Sequence, residues 1–413
     1  MARTLDVFLK DDLVGRLEQD DSGTMRFRYG EAWLAVKAPV ALSASLPLRA
    51  ERFGRNECRP FFAGLLPEEN SRQLIAKAFG VSDRNDFALL EKIGAECAGA
   101  VSLLPPGELP VAGDPRYRQI SLEELAAKFE TLKLHPLLAG EERIRLSLAG
   151  AQGKLALAIR EGDFFLPLDG SPSSHILKPQ SPHFAGLVEN EFFCMRLARR
   201  VGLEVAPVEI GTAGETQFLQ VERFDRLKLP DGRWQRIHQE DFCQAMGIPP
   251  ELKYQEEGGP NLKKCFELVR VVSAVPGPDV LRLFDAVVFN YLAGNSDAHG
   301  KNFSFLYDGG GAKLAPLYDL VCTQAYETLA PDMAMKIGDE RKPKRIVPRN
   351  WHKFFKDAGI GQSPAERRLL TLARRIQQET EVMIEENHAG AESVSPIVLA
   401  LCRHLLAQQW GEQ

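Results

Sequence analysis

Asp297 and Asn302 stand five residues apart in the segment GNSDAHGKNFSF, Gly294 to Phe305. That is the separation at which a phosphotransferase catalytic loop sets a carboxylate at the attacking hydroxyl and an amide oxygen at a magnesium ion. Asp319 follows seventeen residues after Asn302, past FSFLYDGGGAKLAPLYD, which reads as a hairpin. It stands where a second metal ligand belongs. Phosphoryl transfer through a loose transition state asks for little covalent help, but it does need charge neutralised by a cation and a nucleophile oriented by a carboxylate. Asp, Asn and Asp offer oxygen ligands suited to so hard a cation. The same residue types also build capped turns, so the spacing alone leaves that structural reading open. His299 has no partnered His or Cys near it in sequence and reads as a structural or phosphate-contacting group.

Three further segments bear on the same chemistry. RIRLSLAGAQGKLALAI, residues 143–159, places Gly150, Ala151 and Gly153 in a small-residue loop whose backbone can approach phosphates, with Lys154 as a point charge. It is not a Walker loop, because Gly150 and Gly153 are too close and Leu155 follows the lysine. HILKP, 175–179, is an apolar strand ending in Lys178, which could reach nucleotide phosphates and be held by Glu189 or Glu191 of the next helix. FLQVERFDR, 218–226, is an apolar strand running into a charged turn, suited to a hinge whose backbone meets an adenine edge. Arg223, Asp225 and Arg226 read there as local ion pairs rather than catalysts.

The elements that must position these residues follow from periodicity. From Leu5 to about Val36, short alternating runs separated by Asp-Asp, Gly and Ser-Gly turns predict antiparallel strands. Residues 61–79 show helical spacing up to Gly80 and predict one helix packed on that sheet, with FFAGLLPE, 61–68, in the core. LLPPGELPVAGDPRYR, 103–118, breaks both periodicities and is the candidate linker. Helices are expected at 187–201, 239–247, 262–273, 279–294 and 364–383, with a strand pair at 303–319. The division expected is 1–104 as an amino-terminal sheet subdomain, 105–118 as linker, 119–230 as a nucleotide-binding sheet lobe and 231–413 as a helical catalytic lobe. A cleft between the two lobes is where a ligand would sit.

Composition excludes several classes. At 413 residues the chain exceeds a single typical domain. Its 51 basic residues against 56 acidic, net -5, give no global pull toward nucleic acid or anionic lipid. A local contact remains open at RKPKR, 341–345, although a solvated loop is the simpler reading. There is no apolar run long enough to span a bilayer, and MARTLDVFLKDDLVGRL meets acidic residues where a signal peptide needs an apolar core, so a cytoplasmic protein is expected. Seven scattered cysteines without a C-x-x-C pair predict reduced core thiols and no zinc site.

Taken in order, these segments resemble the HipA family of serine/threonine kinase toxins from bacterial HipBA-like toxin–antitoxin pairs. SLAGAQGK resembles the family's S-x-A-G-A-Q-E-K loop, HILKP its strand lysine, ENEFFCMRLA its following helix, VERFDR its hinge, GNSDAHGKNFS its catalytic loop and PLYD its metal-binding turn. The resemblance spans residues 1 to about 104 and 145 to about 390. It departs from the pattern at Gly153, where the family usually carries Glu.

The resemblance implies an α+β, bilobal, protein-kinase-like fold and an ATP- and magnesium-dependent kinase. Asp297 would be the catalytic base, with Lys178 and Asn302 beside it in the catalytic set, and Asn302 and Asp319 the magnesium ligands. Ala149, Gly150, Ala151, Gln152, Gly153, Lys154 and Lys178 would meet the nucleotide phosphates. Glu222, Arg223 and Phe224 would meet adenine, and His299, Lys301, Asn302 and Asp319 would complete the ATP site. Ser147 matches the serine that family members phosphorylate on themselves, which ejects the loop. Arg143 and Arg145 lie close in sequence to receive its charge. The partners implied are a HipB-like helix-turn-helix antitoxin, operator DNA only through that complex, and a protein substrate of the aminoacyl-tRNA synthetase kind, with no membrane. The alternative is a weakly catalytic kinase-fold co-repressor that works by binding its antitoxin; a small-molecule kinase of aminoglycoside type shares much of the spacing.

Overall fold

The computed structural model describes residues 3–110, 115–132, 135–140, 144–150 and 152–410. Arg143 and Ala151, both singled out by sequence, lie outside the described residues. The described chain divides into two units, one of Met1–Pro179, Gly211–Glu251 and Leu306–Gly309, the other of Gln180–Ile210, Leu252–Phe305 and Gly310–Gln413.

The first unit opens with the antiparallel strands β1 Arg3–Leu9, β2 Asp12–Gln19 and β3 Met25–Tyr29. In β3 the residues alternate, Met25, Phe27 and Tyr29 inward and Arg26 and Arg28 outward, as a sheet with one wet face requires. The helices α1 Glu31–Leu34, α2 Arg55–Gly64, α3 Glu69–Ala78 and α4 Asp86–Ile93 follow, and β4 Val101–Leu104 completes the sheet in the order β3-β2-β1-β4. The single helix expected across 61–79 is two. Pro67 lacks an amide hydrogen and pushes Leu66 out of helical backbone, so α2 ends and α3 begins beyond Glu68. Phe61, Phe62, Leu65 and Leu66 are buried, which places the FFAGLLPE segment in the core.

A second sheet follows from β5 Arg116–Ile120, β6 Leu155–Arg160, β7 Asp163–Leu168, β8 His175–Pro179, β9 Val208–Ala213 and β10 Thr216–Glu222, in the order β5-β7-β6-β8-β10-β9. Between its strands run α5 Leu122–Thr131 and α6 Leu187–Arg200. The Pro- and Gly-rich stretch 103–118 gives its two ends to β4 and β5. A small hairpin, β11 Arg226–Lys228 with β12 Trp234–Arg236, leads to β13 His238–Asp241 and the one-turn α7 Phe242–Ala245. The helix expected over 239–247 thus shrinks to α7: its first residues are strand, and Asp241, accepting from the Gln244 amide, starts the helix late.

The second unit is mostly helical: α8 Leu262–Val272, α9 Pro276–Leu292, α10 Pro348–Asp357, α11 Gln362–Glu385 and α12 Ala391–Leu406, joined by α6. The strands β14 Ser304–Asp308 and β15 Gly311–Leu314 lie between α9 and α10, as the sequence predicts. Phe284 of α9 stacks on Phe354 of α10 with ring centroids 5.7 Å apart, and Trp351 packs edge-on to Tyr291. All seven cysteines are buried thiols. Among the described residues no helix is long and apolar enough to cross a membrane.

Candidate active site

The loop after α9 is built by side chains that serve backbone groups. Asn290 on the last turn of α9 donates to the Ala286 carbonyl at 2.9 Å and accepts from Asn295 Nδ2 at 2.7 Å. Asn295 Oδ1 in turn accepts the Asp297 amide at 3.1 Å. Ser296 N donates to Thr323 Oγ1 at 2.8 Å, and Thr323 Oγ1 donates to the Gly294 carbonyl at 3.2 Å, tying the loop to the segment beyond Asp319. From residue 291 to 301 every residue is buried except Asp297. An exposed carboxylate on an otherwise buried loop, most of whose polar groups are hydrogen-bonded within it or to the neighbouring segment, is presented rather than merely tolerated.

Asn302 and Asp319 meet. Asn302 Nδ2 donates to Asp319 Oδ2 at 3.1 Å, and Asn302 Oδ1 accepts the His299 amide at 3.2 Å. Asp319 adopts a left-handed backbone at φ 59°, a conformation of order 1 kcal/mol uphill for a non-glycine residue that surrounding bonds must impose. Those bonds are visible. The Tyr318 hydroxyl donates to the Lys301 carbonyl at 2.6 Å, and Asn190 of α6 grips both backbone groups of Cys322, accepting its N–H at 2.8 Å and donating to its carbonyl at 3.0 Å. Asn190 and Thr323 position the site, yet single-sequence reading passes over both. Asn190 is flanked by the two glutamates that looked more informative, and Thr323 lies in no motif.

Asn302 and Asp319 in contact, with Asp297 on the same loop as Asn302, make a set of one amide and two carboxylates whose oxygens fit a hard divalent cation rather than zinc. Among the described residues no cluster of three or more His, Cys, Asp or Glu could hold a metal ion. Asn302 and Asp319 are the side chains that would hold magnesium.

The remaining expected residues lie in the first unit. Ser147 is fully buried; its amide donates to the Glu96 carbonyl and its hydroxyl to the Leu65 carbonyl, both at 2.8 Å. Beyond it, Gly150 takes φ 106°, and Lys154 Nζ folds back to the Ala149 carbonyl at 2.5 Å. A Cβ at Gly150 would fall 2.6 Å from that Nζ, a flexible tip that could shift, so it is the left-handed backbone that calls for glycine there. At Gly153 a Cβ would meet open space, and Gln152 beside it is half-buried. Lys178 is buried on β8 opposite Leu219 of β10, and Glu222 pairs in register with His175. Burial pushes the His175 imidazole down to about 4, so it is neutral at pH 7. Phe224 is half-buried, as is Glu222.

The side chain of Arg223, which the resemblance puts beside adenine, lies in an ion-pair network. Its amide donates to the Ser174 carbonyl at 2.9 Å. Its guanidinium grips Asp225 with two bonds, 2.9 and 2.8 Å, and reaches Glu96 at 3.3 Å. Arg226 bonds Glu96 at 3.0 Å from the other side. Burial alone would raise both carboxyls, but Arg223 and then Arg226 hold Asp225 and Glu96 below their usual range. The ion-pair reading of Arg223, Asp225 and Arg226 therefore stands, and the Arg223 side chain is committed to this network.

Comparison with known proteins agrees with the fold. The family model described as HipA N-terminal domain matches residues 5–104, and that described as HipA-like C-terminal domain matches residues 146–381. The chain belongs to the HipA family. It is 50% identical over 388 residues to the protein named "Putative kinase Y4mE" of Sinorhizobium fredii, covering 93% of this chain and 92% of that one. It is 34% identical over 387 residues, 91% of this chain and 88% of the other, to the serine/threonine-protein kinase toxin HipA of Shewanella oneidensis. The Shewanella oneidensis HipA solved with HipB and operator DNA superposes with a TM-score of 0.86 at 32% identity, over 98% of each chain. The fold is the α+β, kinase-like fold of that family.

Proposed function

We propose that this chain is an ATP- and magnesium-dependent protein serine/threonine kinase and the toxin of a toxin–antitoxin pair. The observation that carries this reading is the exposed Asp297 on the loop whose Asn302 touches Asp319. Asp297 accepts the proton of an acceptor hydroxyl as its oxygen attacks the γ-phosphorus of ATP, and ADP leaves. Asn302 and Asp319 hold the magnesium ion, which neutralises charge on the phosphoryl oxygens when bound. Lys178 orients the phosphates, residues 149–154 cover them, Glu222 and Phe224 flank adenine, and His299 and Lys301 contribute from the catalytic loop itself.

Ser147 is the acceptor within the chain. Its hydroxyl donates to Leu65 inside the core, so a phosphate there would lose that bond and bring nearly two negative charges into a site with no exposure. The segment must leave its berth, which silences the enzyme. By similarity to the Shewanella complex the partner is a HipB-like antitoxin, with operator DNA reached through it. An aminoacyl-tRNA synthetase is the candidate protein substrate.

The test is intact-mass measurement after incubation with ATP and magnesium. The reading expects one phosphate, mapped to Ser147, that is lost with Asp297→Asn and with a magnesium chelator. A chain that gains no phosphate and phosphorylates no protein, yet binds its antitoxin, is the co-repressor instead. Gly153 in place of the family's glutamate gives that alternative its foothold.

A further inference from the structure

Tyr254 carries no motif, but its hydroxyl donates to Asp297 Oδ1 at 2.8 Å. Its ring stands edge-on to His299, centroids 5.2 Å apart with the planes at 79°. The position is built in. The neighbouring Gln255 donates its amide to the Ala334 carbonyl at 3.3 Å and accepts from the Lys336 amide at 2.9 Å. Ala334 in turn donates to the carbonyl of Ser296, next to Asp297, at 2.7 Å. Behind the ring, Gly259 N closes the turn onto the Tyr254 carbonyl at 2.9 Å. Tyrosine and carboxylate are thus held by one continuous hydrogen-bonded frame.

A hydroxyl hydrogen-bonded to this carboxylate is also what an acceptor serine or threonine must become before attack. We propose that Tyr254 is a placeholder for the acceptor hydroxyl: its phenol occupies the acceptor's place on Oδ1 of the exposed Asp297 carboxylate, orients that carboxylate and keeps water off that one oxygen until a serine or threonine hydroxyl displaces it. This deepens the kinase reading and rests on Asp297 being the base. Tyr254 acts through Asp297 and is a positioning residue. Water bound at the acceptor's position on the base wastes ATP by hydrolysis; a phenol held at that oxygen prevents this without preventing exchange for a substrate hydroxyl of the same hydrogen-bonding type.

The experiment uses the full chain carrying Ser147→Ala, so that water is the sole acceptor unless a peptide of residues 141–153 is added in trans. Tyr254→Phe removes one oxygen and keeps the ring on His299. The expected result is a rise of about three- to tenfold in acceptor-free ADP release, matching the loss of one hydrogen bond. With the peptide, KM should fall by a similar factor while kcat stays within about twofold. Without any substitution, saturating peptide should increase nitration of Tyr254 by tetranitromethane, because the displaced phenol is released. Unchanged hydrolysis and KM, a lower kcat at constant KM, or nitration indifferent to peptide would each overturn the placeholder role. A chain with native Ser147 and Tyr254 that transfers no phosphate to itself or to the peptide overturns the kinase reading and this inference with it.

Discussion

At the scale of single residues, the site separates groups proposed to do chemistry from groups that hold them. Asp297 is exposed and bonded through its backbone to a rigid loop, so Asp297→Asn removes a base without removing a support. Phosphate incorporation should fall by about 10²- to 10⁴-fold while the melting temperature stays within a degree or two, measured by radiolabel transfer and calorimetry. Glu96 is the opposite case. It is buried, bonded to Arg223, Arg226 and Ser173, and its backbone carries the Ser147 segment. Glu96→Ala leaves two arginines short of a buried counter-charge and should cost about 3–5 kcal/mol in urea unfolding. The sequence made the chemical residues legible because their spacing is local: Asp297 and Asn302 share one loop. Glu96 and Arg223 lie more than a hundred residues apart, and Tyr254 approaches Asp297 across forty-three, so no window of sequence could pair them.

Between elements, close approach and buried charge decide what can change. Gly390 caps α12 at φ 84°, and a Cβ there would sit 2.2 Å from the Glu189 carbonyl of α6. Gly390→Ala must separate the two helices next to Asn190, and should lower the melting temperature by several degrees, on the order of 2–4 kcal/mol. In the first unit, Glu240 of β13 accepts from Ser43, Ala44 and Tyr307 in a fully buried pocket. Burial pushes its carboxyl up to about 7 from 4.5, with the Ser43 and Tyr307 hydroxyls pulling it partly back. The folded state therefore binds this proton more tightly than the unfolded chain. The stability it contributes is full below pH 4.5 and is lost as pH rises through about 7, by on the order of 3 kcal/mol. His175 and His238, both pushed down to about 4 by burial, act in the opposite sense, losing stability as pH falls from 6.5 through 4. Glu240→Gln should flatten the difference between pH 5 and 8 in urea titrations of native and variant protein; an unchanged slope would remove Glu240 as its source. Helix periodicity found α6, α8, α9 and α11 to within a few residues. It failed at 61–79 and 239–247, where a proline and a late N-cap overrode an apolar pattern that did not itself change.

For the molecule as a whole, composition already implied what the structure displays. Every cysteine is buried, and burial pushes Cys58, Cys97, Cys265 and Cys402 up to about 12. An aromatic disulfide reagent should label almost none of the seven thiols quickly in native protein and all seven in guanidinium. Rapid native labelling would mean that the core opens. By itself the sequence determined the family, the order of its motifs and the approximate helices, and it named the residues proposed for phosphoryl chemistry, because these are written in local spacing and in side-chain type. Only the tertiary structure decided that Asn302 touches Asp319, that Arg223 is spent on Glu96 and Asp225, that the Ser147 hydroxyl is turned into the core, and that Tyr254 rests on Asp297. Hydrogen bonds and ion pairs are short-ranged and directional, and which distant groups come within 3 Å of one another is fixed by how the elements pack.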